Sequence, residues 1–311
     1  MKDNFGREIS YLRVSVTQRC NLNCVYCGKS DCAKKETELS PETIEKLVCA
    51  FAKCGIKKVR ITGGEPLVRD DICEIISRLR SVAGVETLAL TTNGVLLEKY
   101  AKQLKEAGLQ SVNISLDSTD GSTYRHLTGS DVLGKVISGI NEAEKAGLSP
   151  IKINAVLMKG VNDDSAAGLI EIAKNRKTDV RFIELMPFSE DGEDNNLIVT
   201  GEEILEKFPF LTPLAESDST AAYYRAEGFE GRIGLISPIT QKFCSRCNRL
   251  RLLSDGKVKP CLGYDNEYDL MPYLNNEWEL IKQIENIIRS KPAGHNFAVI
   301  PPSHGLNRTG G

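Results

Sequence analysis

From Tyr11 to about Glu184, short runs rich in β-branched residues alternate with longer stretches of helical periodicity, and this alternation constrains the fold more than any other feature of the chain. The expected strands are Tyr11–Val16, Lys58–Thr62, Thr87–Thr91, Ser111–Leu116, Ile151–Leu157 and Val180–Glu184. Helical patterns fall between them at Pro41–Cys54, Asp70–Val82, Leu96–Ala107, Leu133–Ala146 and Asp163–Asn175. Ser40-Pro41 with Thr43 reads as an N-cap with proline at the first helical position, and Gly55, Gly108 and Gly147 stand where helix C-caps belong. Repeated strand–helix units imply a parallel sheet with right-handed crossovers. The expected fold class is therefore α/β, a partial (β/α)6 TIM-type barrel with its functional loops at the carboxyl ends of the strands. A doubly wound sheet is the alternative. Beyond about Asp191 the pattern loosens into Gly, Asp, Asn and Pro, which places a boundary near residues 188–196. Residues 1–190 form the expected barrel domain and 191–311 a smaller appended region.

The strands carry a second message. Parallel strands covered on both faces should be nearly all apolar, yet one face here is polar. Arg13 and Ser15 share a face in the first strand, Arg60 and Thr62 in the second, Asn113 and Ser115 in the fourth, Lys152 and Asn154 in the fifth. If that face lines a barrel interior, its cations need nearby acids or an anionic ligand. Solvent-facing charge on edge strands is the alternative.

The balance of 40 Lys plus Arg against 42 Asp plus Glu gives a net charge of −2, which opposes a general role in nucleic-acid binding. Any anion site must be local. No run of eighteen apolar residues occurs, and Met1–Ser10 has no apolar core segment, so we expect a cytoplasmic chain that does not engage a membrane. Six of the ten cysteines fall in two clusters. Cys20, Cys24 and Cys27 form a CxxxCxxC loop directly after the first strand, three soft thiolate ligands suited to an iron–sulfur cluster with one iron left open. An open iron of this kind takes the amino and carboxylate groups of S-adenosylmethionine. Cys32 is available as a fourth ligand, which leaves zinc open. Cys244, Cys247 and Cys261 form the second trio, with no histidine at ligand spacing. Lys242, Arg246, Arg249, Arg251, Lys257 and Lys259 surround it, and arginine forks suit phosphate oxygens. Cys49, Cys54 and Cys73 read as small buried residues, and Trp278 and Met158 as packing.

Together these motifs resemble a known family. Cys20, Cys24, Tyr26 and Cys27, then Arg60-Ile61-Thr62-Gly63-Gly64-Glu65-Pro66, Thr91-Thr92-Asn93-Gly94 and Ser115-Leu116-Asp117-Ser118 are similar to the GTP 3′,8-cyclases, radical S-adenosylmethionine enzymes of molybdenum cofactor biosynthesis. Phe182 to Pro187, Phe243 to Arg251 and the terminal Gly310-Gly311 continue the likeness in the family's order. The resemblance implies two 4Fe-4S clusters, one on each cysteine trio, the second meeting guanine. It implies that a deoxyadenosyl radical takes hydrogen from C3′ of GTP to give 3′,8-cyclo-7,8-dihydro-GTP. It implies as partners a low-potential electron donor and MoaC, the cyclic pyranopterin monophosphate synthase that uses the product; a homodimer is compatible with it.

Carried over by position, Tyr26, Gly63, Gly64, Glu65, Asn93, Ser115 and Met186 would serve S-adenosyl-L-methionine. Arg13, Arg60, Thr91, Lys152, Arg249, Leu250 and Arg251 would serve GTP, with Arg13, Arg249 and Arg251 as candidate catalytic residues. The glycine tail would reach into the site. The chain departs from the family pattern in Gly28–Cys32, in Gln18-Arg19 before the first cysteine, and in Arg308-Thr309 before the final glycines. Two other readings compete: a peptide- or sulfatase-modifying radical enzyme with an auxiliary cluster, and a non-catalytic zinc-binding protein.

Overall fold

The structure, a computed structural model, describes residues 1–27, 38–189, 194–217, 220–297 and 305–310. The six expected strands form in order and pair in parallel: β1 (Tyr11–Ser15), β2 (Lys58–Thr62), β3 (Thr87–Thr92), β4 (Ser111–Ser115), β5 (Ile151–Leu157) and β6 (Asp179–Glu184). The connecting helices are α1 (Pro41–Lys53), α2 (Ile72–Arg80), α3 (Leu97–Glu106), α4 (Gly121–Thr128), α5 (Leu133–Lys145) and α6 (Ser165–Asn175). The Ser40 side chain accepts the Thr43 N–H and caps α1, whose Ile44, Leu47, Val48 and Phe51 are buried. Phe51 is completely enclosed, so Phe51→Ala should cost about 3–5 kcal/mol. Gly55, Gly108 and Gly147 have positive φ and end their helices as expected. Helix α4 had no counterpart in the sequence pattern.

The later chain extends this sheet in both directions. Its strands are β7 (Thr212–Ser217), β8 (Ala222–Arg225), β9 (Ile233–Ile236), β10 (Arg249–Leu252), β11 (Lys257–Lys259) and β12 (Tyr268–Asp269). Strand β10 pairs in parallel with β1 and β9 with β6, while β11–β12 and β8–β7 add antiparallel edges. Among the described residues the sheet reads β12-β11-β10-β1-β2-β3-β4-β5-β6-β9-β8-β7 and does not close. The fold is the expected α/β partial barrel, with residues after 191 supplying strands to both of its edges.

Alternation along the strands sets the two faces. In β5, Ile151, Ile153, Ala155 and Leu157 are buried toward the helices, while Lys152, Asn154 and Val156 face inward. Two expectations about packing divide. Met158 is buried, but Trp278, at the start of the helix Glu277–Arg289, is 68% exposed with Lys282 over its ring. Its neighbour Leu280, two positions on, is buried instead, with Ile284, Ile287 and Ile288. Cys54 is buried and Cys49 and Cys73 are half-buried; Cys32 lies outside the described residues.

Candidate active site

The inward faces enclose a cavity of about 500 Å³, within the range of small-molecule sites. Its lining begins with Cys20, Cys24 and Cys27 at the carboxyl ends of the strands and extends to Phe243, Asn248 and Leu262, the sequence neighbours of the second trio. Arg13, Arg60, Lys152, Arg249 and Arg251 all line it, as do Tyr26, Gly63, Gly64, Thr91, Asn93, Ser115 and Met186. Residues flagged on strand periodicity, on local charge and on family resemblance thus meet in one chamber.

Strand register explains the chamber's electrostatics. Arg13 of β1 is aligned with Arg60 of β2 on one side and with Arg251 of β10 on the other. Three guanidinium side chains therefore share one row on adjacent strands, where like charges oppose one another. Arg60 and Arg251 are buried and Arg13 half-buried, and the row continues in β3 with the small Ala89, which leaves room beside them. Burial and then the Arg251 charge push Arg13 below the usual arginine range; burial and then Arg249 push Arg251 down to about 10. The next row holds Arg249, Tyr11 and Lys58. The Tyr11 hydroxyl accepts from Arg60 Nε at 2.6 Å, and Lys58 Nζ sits 4.9 Å from the ring centroid. Burial raises the Tyr11 pKa, but Arg60, Arg13, Arg249 and Lys58 together bring it down to about 7. Such a surface is stabilised by an anion. Two polar atoms facing it, Thr91 Oγ1 and Arg249 Nε, are buried with no hydrogen-bond partner among the described residues. A polyanionic ligand fits this donor set.

The first cysteine loop is held by its backbone. Asn23 and Val25 N–H donate to the carbonyls of Thr128 and Leu127 at the end of α4, and Cys27 N–H donates to Cys24 O. Gly64 is required by close approach: a Cβ there would fall 2.3 Å from the Arg19 carbonyl oxygen. Gly64 N–H and Glu65 N–H in turn donate to Thr17 O and Arg19 O, which ties the glycine turn to the loop entry. Tyr26 donates to Asp117 at 2.6 Å, and burial raises Asp117 to about 6 despite this bond and the one from Val156 N–H. Burial, then Asp117, hold the Cys24 thiol well above the ordinary range, and burial, then Cys20, push Cys27 to about 12. Three thiols and a flanking carboxylate form an electron-rich loop suited to a metal cluster's positive irons.

The second trio lies in a different field. Cys244 begins a short 3-10 turn, Cys247 ends it, and Cys261 follows β11. Gly294 stands against Cys244, where an added Cβ would lie 3.3 Å from the sulfur. Burial raises the Cys247 thiol, but Lys291 and then Arg249 bring it below its ordinary value. Among the described residues, no three His, Cys, Asp or Glu side chains converge on a single ion.

Some expected residues occupy other places. Leu250 points away from the chamber into the apolar core between Arg249 and Arg251, as alternation requires. Glu65 is fully buried behind the lining, where it accepts from Leu67 N–H, the Thr92 hydroxyl and Asn93 N–H. It orients Asn93, whose Nδ2 approaches Cys20 Sγ at 3.9 Å. Of the six cations around the second trio, only Arg249 and Arg251 reach the chamber; Lys257 pairs with Asp255 and Glu267, and Lys259 with Asp265. Sequence reasoning missed Arg181, Lys58 and Asp117 in the lining. Arg181 was legible in principle, being in register with Asn154 and hydrogen-bonded to its Oδ1. At the tail, Arg251 donates to the carbonyls of Thr309 and Gly310 at 3.1 Å, and Gly310 abuts Thr62 so closely that a Cβ would fall 2.2 Å from Oγ1. Gly311 lies outside the described residues.

Comparison with known proteins bears on this geometry. The Radical SAM superfamily model matches residues 14–173 and the Molybdenum Cofactor Synthesis C model residues 178–297. A GTP 3′,8-cyclase of Alkaliphilus oremlandii is 44% identical over 322 residues, covering 100% of both chains. A GTP 3′,8-cyclase of Thermodesulfovibrio yellowstonii is 43% identical, covering 94% of this chain and 95% of its own. Among solved structures, Streptococcus suis SuiB bound to its precursor peptide SuiA aligns with a TM-score of 0.63 at 15% identity, over 91% of this chain and 67% of that one. That likeness is one of fold.

Proposed function

The chain belongs to the GTP 3′,8-cyclase family of radical S-adenosylmethionine enzymes, and from that premise we propose how its residues divide the work. Its reaction forms 3′,8-cyclo-7,8-dihydro-GTP in molybdenum cofactor biosynthesis, using a 4Fe-4S cluster and S-adenosylmethionine. When bound, that cluster supplies the electron that cleaves S-adenosylmethionine to a deoxyadenosyl radical, which takes hydrogen from C3′ of GTP.

In this reading Cys20, Cys24 and Cys27 hold the catalytic cluster. Tyr26, Gly63, Gly64, Asn93, Ser115 and Met186 shape the S-adenosylmethionine site, and Glu65 acts indirectly by fixing Asn93. Cys244, Cys247 and Cys261 hold a second 4Fe-4S cluster. The row of Arg251, Arg13 and Arg60, with Thr91, Lys152 and Arg249, binds GTP, and Arg181 and Lys58 belong to the same cationic wall. Arg13, Arg249 and Arg251 would also orient the reacting nucleoside. Residues 1–190 would thus contribute the radical chemistry and 191–311 the second cluster and the tail. A low-potential reductant and the cyclic pyranopterin monophosphate synthase MoaC would stand before and after the reaction.

The observation that carries this assignment is the row of three neighbouring guanidinium groups, inside a chamber that also contains the CxxxCxxC thiols. The test is an anaerobic assay with GTP, S-adenosylmethionine and reductant. Both 5′-deoxyadenosine and the cyclised nucleotide should form, and Arg13→Ala should lose the nucleotide product while retaining slow S-adenosylmethionine cleavage. An Arg13→Ala enzyme with unaltered GTP turnover would contradict the assignment.

A further inference from the structure

Lys291 follows the helix Glu277–Arg289 and is only 2% exposed. Its Nζ donates to the Arg249 carbonyl at 2.8 Å and to the Pro260 carbonyl at 2.7 Å, and Cys247 is its largest favourable charge neighbour. These two carbonyls take two of the three N–H groups of an ammonium. They also join two separate stretches of chain, since Arg249 is two residues after Cys247 and Pro260 directly precedes Cys261. Among the described residues no carboxylate pairs with Lys291. Its favourable charge partners are Cys247 and Cys261, while Arg7 opposes it. A buried ammonium lacking a carboxylate needs another source of negative charge, and the ligand sulfurs of a bound cluster would supply it.

A neighbouring residue provides the contrast. Arg7 donates to the carbonyls of Cys244, Ala293 and Pro292, holding the third cysteine's segment in a similar way. Its charge, however, is matched by Asp3 in a buried pair at 2.6 Å. Arg7 can shape the site with little net field; Lys291 does both.

We infer that Lys291 is a positioning residue of the second cysteine trio, clamping the segments that carry Cys247 and Cys261 and biasing the group they hold toward its more electron-rich state. The inference rests on the proposed second cluster. Adding an electron to a thiolate-bound cluster increases its negative charge, so a fixed cation beside two ligands favours the reduced form. The first trio, flanked by Asp117, receives no such help.

The test is a redox titration of anaerobically reconstituted enzyme followed by electron paramagnetic resonance, comparing wild type, Lys291→Met and Lys291→Arg, with the first cluster as internal reference. The expected result is a more negative midpoint for the second cluster in Lys291→Met, an unchanged first cluster, and a midpoint restored close to wild type in Lys291→Arg. Unchanged midpoints in a fully loaded Lys291→Met would overturn the inference. If Lys291→Met loads only the first cluster, Lys291→Arg decides: loading at the wild-type midpoint supports the role of charge, and equal failure to load overturns it. A wild-type protein holding one cluster, unaffected by Cys247→Ala, would instead overturn the reading on which the inference rests.

Discussion

The two cysteine trios are alike in number and opposite in surroundings. The first sits in an anionic setting, where burial and Asp117 raise the Cys24 thiol. The second sits among Lys291, Arg249 and Arg251, which lower Cys247 against its burial. If both trios hold clusters, as proposed, an identical ligand set is given two electronic characters by residues around it. A negative field suits a site that must donate an electron, and a positive field suits a site that binds and orients an electron-rich substrate.

The sharpest way to break this comparison is to remove one ligand from each trio. Cys24→Ala should abolish 5′-deoxyadenosine formation, whereas Cys261→Ala should retain it and lose only the cyclised nucleotide. Equal GTP turnover by both variants would contradict the division of roles. Next in size, Arg249→Ala should weaken GTP binding by about 1.5–3 kcal/mol, roughly 10- to 150-fold, measured by equilibrium dialysis without reductant. Unchanged affinity would remove Arg249 from the substrate wall.

The tail joins the two regions, since Leu306 N–H donates to the Cys27 carbonyl while Arg251 holds Gly310. Gly310→Ala combines a left-handed φ of 69° with a close approach to Thr62, so the tail should detach at a cost of about 1–3 kcal/mol. Limited proteolysis should then cleave it faster; an unchanged rate would show that the contact is dispensable. A smaller effect is expected from Asp117→Asn, which removes the anion beside the first trio. The first cluster's midpoint should rise by about 1 kcal/mol, roughly 40 mV, with the second unmoved, and a shift of the second alone would reverse the assignment.

The smallest effect is spectroscopic. One tyrosine should ionise near pH 7 in an ultraviolet titration, and Arg60→Ala, by removing the largest lowering influence, should move that step upward. Because Tyr11 is depressed in the folded state, its contribution to stability is complete above its unfolded value near 10 and fades as pH falls through about 7. A titration with every tyrosine near 10 would show that the cations are screened from it.

Much of this site was legible in the sequence because strand period and side-chain direction are tightly coupled. Arg13, Arg60 and Lys152 announced an interior face by alternation alone, and the CxxxCxxC loop announced its chemistry by spacing. The partial barrel followed from the same alternation. What escaped depends on contacts distant in sequence. Nothing near Lys291 indicates that it meets Pro260, 31 residues earlier. The pairing of β10 with β1 joins residues more than 200 positions apart, and only that register places Arg251 beside Arg13. Trp278 was misplaced because a large aromatic residue on an amphipathic helix suggests packing, while the buried stripe runs through Leu280, Ile284 and Ile287. Leu250 was attached to the site through its arginine neighbours, although the pleat turns it to the opposite face.

The central claim is that a nucleoside triphosphate lies between two clusters of different character. The most direct measurement follows the paramagnetic resonance of both reduced clusters during separate additions of S-adenosylmethionine and GTP. The account predicts that S-adenosylmethionine alters only the first signal and GTP only the second, with the GTP response absent in Cys261→Ala. A GTP response confined to the first cluster, or none at either, would contradict it.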